Sequence, residues 1–114
     1  MTIEWSEKNR VWDVDCKIYL YKSGLLQINR AALLMIREND GDLLHLEVGY
    51  DSEKDYFVLK PVKEQTAVSY SVSAGSLTCT NFFRRHNFTT ADKPIRRILK
   101  RRNDYYIFYR NEPS

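Results

Sequence analysis

Ser23-Gly24-Leu25-Leu26-Gln27-Ile28-Asn29-Arg30-Ala31-Ala32-Leu33 packs a glycine turn, a short apolar strand, a cap residue and the start of a helix into one stretch. Gly24 breaks the chain direction as turn glycines do. Asn29 can accept a hydrogen bond from a free first-turn amide, and the residues after it, Arg30 to Arg37, are mostly strong helix formers. Upstream, Val11 to Tyr21 alternates, with Trp12, Val14, Cys16, Ile18 and Leu20 on one face and Asp13, Asp15 and Lys17 on the other. That period of two predicts a half-buried strand. Downstream, Asn39-Asp40-Gly41 ends the helix, Asp42 to Tyr50 alternates again, and Asp51 to Asp55 is a charged turn. Tyr56 to Leu59 is β-rich and is expected to stop at Pro61.

After a polar connector, Val62 to Thr66, the order starts over. Ala67 to Ser73 alternates, Ala74-Gly75-Ser76 turns, Leu77 to Cys79 is a short strand, Thr80 and Asn81 are cap residues, and Phe82 to His86 suits a short helix. Tyr105 to Tyr109 closes the chain as an aromatic strand. Aligning Gly24 with Gly75 gives an offset of 51, which sets Leu26 on Leu77 and Asn29 on Thr80. Tyr56-Phe57-Val58-Leu59-Lys60 matches Tyr106-Ile107-Phe108-Tyr109-Arg110 at an offset of 50. Self-similarity at this period predicts two internal copies, about residues 18–61 and 68–110, within one domain spanning 1–114.

Two points stay open. Alternation turns Ile18 and Leu20 inward, whereas the repeat pairs Tyr19 and Tyr21 with Tyr70 and Val72. Ile95 to Arg102 fits a helix stripe through Ile95, Ile98 and Leu99, whereas the repeat asks for a strand.

Composition narrows the function. Hydrophobic residues make up 43% of the chain, too many for a disordered segment, and no apolar run approaches the roughly 18 residues that span a bilayer. Met1 to Arg10 carries Glu4, Glu7, Lys8 and Arg10 and has no apolar stretch of a secretory signal. Cys16 and Cys79 are too few for a disulfide framework, which predicts buried reduced thiols and a cytoplasmic protein. The chain is expected to be a monomer or a homodimer. Residues 1–62 hold eight Lys/Arg and eleven Asp/Glu, while residues 63–114 hold ten and four. A basic second half favours an anionic partner.

Enzyme chemistry is not legible. His45 and His86 lack metal-ligand spacing, Ser23 and Ser76 lack a nucleophile elbow, the glycines are isolated, and Asp13 and Asp15 share a strand face. Neither a metal nor a cofactor is expected. The chemical signal is basic: Arg84, Arg85, Arg96, Arg97, Lys100, Arg101 and Arg102, followed by Tyr105 and Tyr106. Such cations displace counterions from a phosphate backbone, and tyrosines beside them can stack on bases. The expected partner is therefore nucleic acid, with duplex DNA first. The alternative is a protein-interaction module anchored on aromatics such as Trp5 and Tyr50.

The run from Ser23 to Leu33, together with Gly41-Asp42-Leu43-Leu44-His45-Leu46 and Phe57-Val58-Leu59-Lys60-Pro61, resembles the swapped-hairpin domains of the AbrB, SpoVT and MazE type. The resemblance covers about residues 18–61 and, more weakly, 68–110. It implies a mainly β fold with two short helices, a tandem swapped-hairpin β-barrel in which one chain forms a pseudo-dimer. It also implies a DNA-binding regulator of bacterial, phage or mobile-element type. Leu25 and Ser76 stand where the family commonly has a basic residue, and Asn29 and Thr80 where it commonly has proline.

Overall fold

The computed structural model describes residues 15–90 and 92–111. The fold is mainly β, with two helices and two antiparallel sheets. In order, the elements are β1 (Lys17–Leu20), β2 (Leu25–Ile28), α1 (Arg30–Asp40), β3 (His45–Asp51), β4 (Tyr56–Val62), β5 (Ser69–Ser71), β6 (Ser76–Thr78), α2 (Thr80–Arg85), β7 (Ile95–Ile98), β8 (Lys100–Arg102) and β9 (Tyr105–Tyr109). One sheet runs β6-β2-β1-β7 and the other β5-β3-β4-β9-β8. Each therefore mixes strands from both halves of the chain. Two junctions join them. β7 runs through Leu99 directly into β8, and beyond β5 a bridge between Ser73 and Ser76 leads into β6. Among the described residues, no helix is long and apolar enough to cross a membrane.

The pairings of the two halves correspond. β1 pairs with β2 and β7; β5 meets β6 through the Ser73–Ser76 bridge and pairs with β3. β3 pairs with β4 as β8 pairs with β9. At the centre of one sheet Leu26 faces Leu77, and in the other Phe57 faces Phe108 and Val58 faces Ile107.

The conflict over the first strand has a structural answer. Tyr21 N–H reaches Leu25 O at 2.9 Å around a three-residue loop, while Ser73 and Ser76 exchange both bonds, each at 2.9 Å, around the two residues Ala74 and Gly75. The second turn is one residue shorter, so the strand before it aligns at an offset of 52. Ile18 and Leu20 are buried, and their counterparts at that offset, Tyr70 and Val72, pack against the same core. Both turns use left-handed glycine, with φ of 88° at Gly24 and 77° at Gly75.

Asn29 fixes the start of α1. Its Oδ1 accepts from Ala32 N at 2.9 Å and from Lys17 N at 3.0 Å, and its Nδ2 donates to Asp15 O at 2.9 Å. One side chain thus caps the helix and ties it to β1. Ala32 and Ile36 turn inward. Gly41 ends the helix with φ of 84°, its N–H bonding Arg37 O at 3.0 Å. The second helix departs from expectation. Cys79 is its N-cap and makes no side-chain cap bond, while the Thr80 hydroxyl lies 3.5 Å from Ser23 O. Thr80 is taken up by the Gly24 turn: a Cβ on Gly24 would fall 2.0 Å from Thr80 Oγ1.

Two further expectations change. β4 continues through Pro61, which faces Leu46. The pairing of β4 with β9 ends at Leu59, so Pro61 lies beyond the stretch that β9 covers. β1 begins at Lys17; Trp12, Val14 and the rest of the predicted strand before residue 15 lie outside the described residues. Ile95 to Arg102 is extended, as the repeat asked.

One core serves both halves. Phe57 stands at its centre, with ring centroids 5.0 Å from Phe88, 5.2 Å from Phe108 and 5.3 Å from Phe83. Cys79 is buried and Cys16 half-buried, and both are free thiols.

Candidate nucleic-acid interface

The seven predicted cations fall on three surfaces, for reasons the strand pairing makes plain. Directly opposed residues of an antiparallel pair share a face. Arg97 faces the fully buried Ile18, and Arg96 faces Tyr19 on the outer side. Alternation then carries Arg96, Ile98, Lys100 and Arg102 outward, and Arg97, Leu99 and Arg101 inward, along one continuous segment. Burial agrees at Leu99, 3% exposed, and Ile98, 47%; in the edge strand β8 all three residues, Arg101 included, are exposed. The outer row runs for about 20 Å, close to the rise of six base pairs at about 3.4 Å each.

Tyrosines flank this row. Tyr19 lies opposite Arg96, and Arg102 lies opposite Tyr105. Lys100 Nζ sits 5.8 Å from the Tyr109 ring centroid. Lys17 lies opposite Ile98, and with Asp15, Arg96 and Arg97 it borders a shallow depression of about 390 Å³.

Arg97 has a different job. Its Nε and Nη2 donate to Arg110 O at 3.1 and 2.9 Å, its Nη1 donates to Arg96 O at 2.7 Å, and its guanidinium lies over Phe88 at 5.6 Å. An inward cation on a sheet must find such acceptors at the end of the core or remain an unpaired charge. Arg101 lies opposite Tyr106, whose hydroxyl donates to Asp40 Oδ2 at 2.7 Å. Burial and the bond to Asp40 push the Tyr106 phenol up to about 12, with Arg101 pulling the other way. Arg84 and Arg85 are exposed in the last turn of α2, where cations complement the helix dipole.

The aromatic alternative fares differently. Tyr50 is half-buried: its ring lies 4.2 Å from His86 and 5.0 Å from Phe57, and its hydroxyl donates to Asp55 Oδ1. Asp55, held in left-handed backbone at φ 57°, also takes Arg110 at 2.8 and 3.2 Å. Arg110 and Tyr50 together hold the Asp55 carboxyl below the usual carboxylate range. Tyr50 is thus a member of a ring cluster and a clasp, not an exposed anchor. Trp5 lies outside the described residues.

Alternation along Ile95 to Arg102 was the signal that could have sorted the cations from sequence, once the segment was taken as a strand. Comparisons with protein-family models, with curated proteins and with solved structures return no match.

Proposed function

We propose that the chain binds nucleic acid through the outer row Arg96, Lys100 and Arg102, with Ile98 between them and Tyr105 and Tyr109 beside them. The observation that carries this reading is the single extended segment that presents those three cations on one face across both sheets. Cations on a row contact phosphates and set register, while the tyrosines offer surfaces for bases. Arg84 and Arg85 add positive charge from α2. The matching strand pairings support a duplicated chain, in which one molecule supplies both copies of a swapped-hairpin unit. Such a chain acts as a small cytoplasmic regulator of bacterial, phage or mobile-element type, non-enzymatic and without a cofactor.

The test is anisotropy of labelled duplex and single-stranded DNA at low salt. Arg96→Ala/Lys100→Ala/Arg102→Ala should lower affinity and flatten the salt slope by roughly one unit per lost contact. No binding by the wild-type protein, or unchanged binding by the triple variant, overturns the reading.

A further inference from the structure

A second feature stands apart from that row. Between the Gly24 turn, α2 and the loop after it lies a cavity of about 290 Å³, floored by Leu20, Phe83 and Phe88. Phe83 and Phe88 are buried core rings, so the floor is rigid and apolar. Lys22 and Arg84 stand at the rim, both exposed, with Thr89 and with Thr90, whose hydroxyl donates to Lys93 O. Its described lining contains no carboxylate.

The helix caps show how the second half builds this wall. Leu33 N–H bonds Asn29 O in the first turn of α1, and Phe83 N–H bonds Cys79 O in the first turn of α2, so Phe83 is the counterpart of Leu33. Phe83 lines the cavity with its buried ring, and the next residue, Arg84, brings an exposed cation to the same opening.

The geometry points to this cavity as a binding site for a small organic anion, a flat apolar ring carrying one carboxylate. The ring packs against Leu20, Phe83 and Phe88, and the carboxylate meets Arg84 and Lys22. Arginine suits this role because its planar fork matches a carboxylate. The volume is at the small end of ligand sites, roughly 300–1,000 Å³, which limits the ligand to about one ring. The inference does not rest on nucleic-acid binding, since Arg96, Lys100 and Arg102 take no part in the lining.

The test uses the full chain and benzoate as probe, followed by amide shifts in two-dimensional NMR, with benzamide as the neutral isostere. Benzoate should produce saturable shifts at Phe83, Phe88 and Thr90. Benzamide should bind about tenfold more weakly or less, because it lacks the charge that strengthens the contact with arginine. Arg84→Leu, which removes the cation and its hydrogen-bond donors, should abolish the shifts, and Lys22→Gln should weaken them. Arg84→Gln removes the charge alone and should weaken binding as well, so the test survives if Arg84→Leu misfolds. The proposal is overturned if benzoate gives no saturable shifts at these amides, if benzamide binds equally well, or if both Arg84 variants bind benzoate like the wild-type protein.

Discussion

Leu26 and Leu77 lie directly opposite each other across β2 and β6, and they are the two residues that the 51-residue offset makes equivalent. Both are buried, at 0% and 3% exposed. A residue that pairs with its own counterpart marks the centre of a two-fold arrangement. In the second sheet the centre falls between two pairs, Phe57 with Phe108 and Val58 with Ile107, which the offset of 50 exchanges.

Truncating either leucine should be costly. Leu26→Ala and Leu77→Ala should each destabilise by about 2–5 kcal/mol, the range for buried leucines. Because they are neighbours, the double variant should depart from the sum by about 0.5–3 kcal/mol. Urea unfolding measures all three. A cost near zero at Leu77 would mean that the second hairpin is not packed as described.

Arg96 and Arg97 are adjacent in sequence and opposite in role. Arg97→Ala removes three hydrogen bonds to carbonyls and the stacking on Phe88, and should cost about 1–3 kcal/mol. Arg96→Ala should stay within about 0.5 kcal/mol, as exposed changes usually do. Chemical denaturation of the two variants distinguishes them, and equal costs would contradict the face assignment.

Asp55 should make stability depend on acid. Its folded pKa lies below its unfolded value of about 3.9. The unfolded state therefore takes up a proton first, and the contribution of the clasp is fully present above that value and lost as pH falls through the folded pKa. Urea midpoints recorded from neutral pH downward should fall less steeply for Asp55→Asn than for the wild-type protein in that window. Parallel curves would show that the clasp with Arg110 and Tyr50 contributes nothing to acid sensitivity.

Tyr106 gives the mirror case at high pH. Its phenol titrates at about 12 when folded and about 10 when unfolded. Stability from this group is complete below about 10 and is lost as pH rises toward about 12. Tyr50, Tyr56 and Tyr70 are raised as well, so ultraviolet absorbance should show several tyrosines ionising late, with the step near about 12 missing in Tyr106→Phe. That variant should also lose about 1 kcal/mol with the bond to Asp40.

Thiol chemistry should follow burial. Cys79 is buried and Cys16 half-buried, with its thiol 3.7 Å from Met35 Sδ. Desolvation raises both above the ordinary thiol range; Asp15 raises Cys16 further, and Tyr70 partly offsets the shift at Cys79. Both should label slowly with a thiol reagent near neutral pH, Cys79 more slowly than Cys16. Rapid labelling of Cys79 would refute its inward placement.

The fold was legible where a local rule sufficed. Gly24, Asn29 and Gly41 each announce a turn or cap, and alternation turns Ile18 and Leu20 inward correctly. The repeat supplied the extended form of Ile95 to Arg102, which local periodicity left open. What escaped were matters of partnership. Nothing local says that the second turn is one residue shorter, that Thr80 would be claimed by Gly24 rather than by its own helix, or that β4 would run past Pro61. The candidate site was legible as composition but not as surface. Seven cations read alike in a string, and alternation sorts those between Arg96 and Arg102 only once the segment is known to be a strand, which its pairing with Ile18, Tyr19, Tyr105 and Tyr106 establishes.

The interleaving of the sheets carries a consequence for how the chain reaches its native state. β1 finds its outer neighbour at β7, with Lys17 paired to Ile98, so the first strand among the described residues waits for one of the last. Contacts of such long sequence separation must be closed at an entropic cost before they return any stabilisation, and proteins dominated by them fold in milliseconds to seconds. The first half emerging from the ribosome carries an unpaired β1 edge and an exposed β2 until β6 and β7 arrive. During synthesis that edge is a template for a second nascent chain, and exchange of halves between two molecules is the route by which this topology would misassemble.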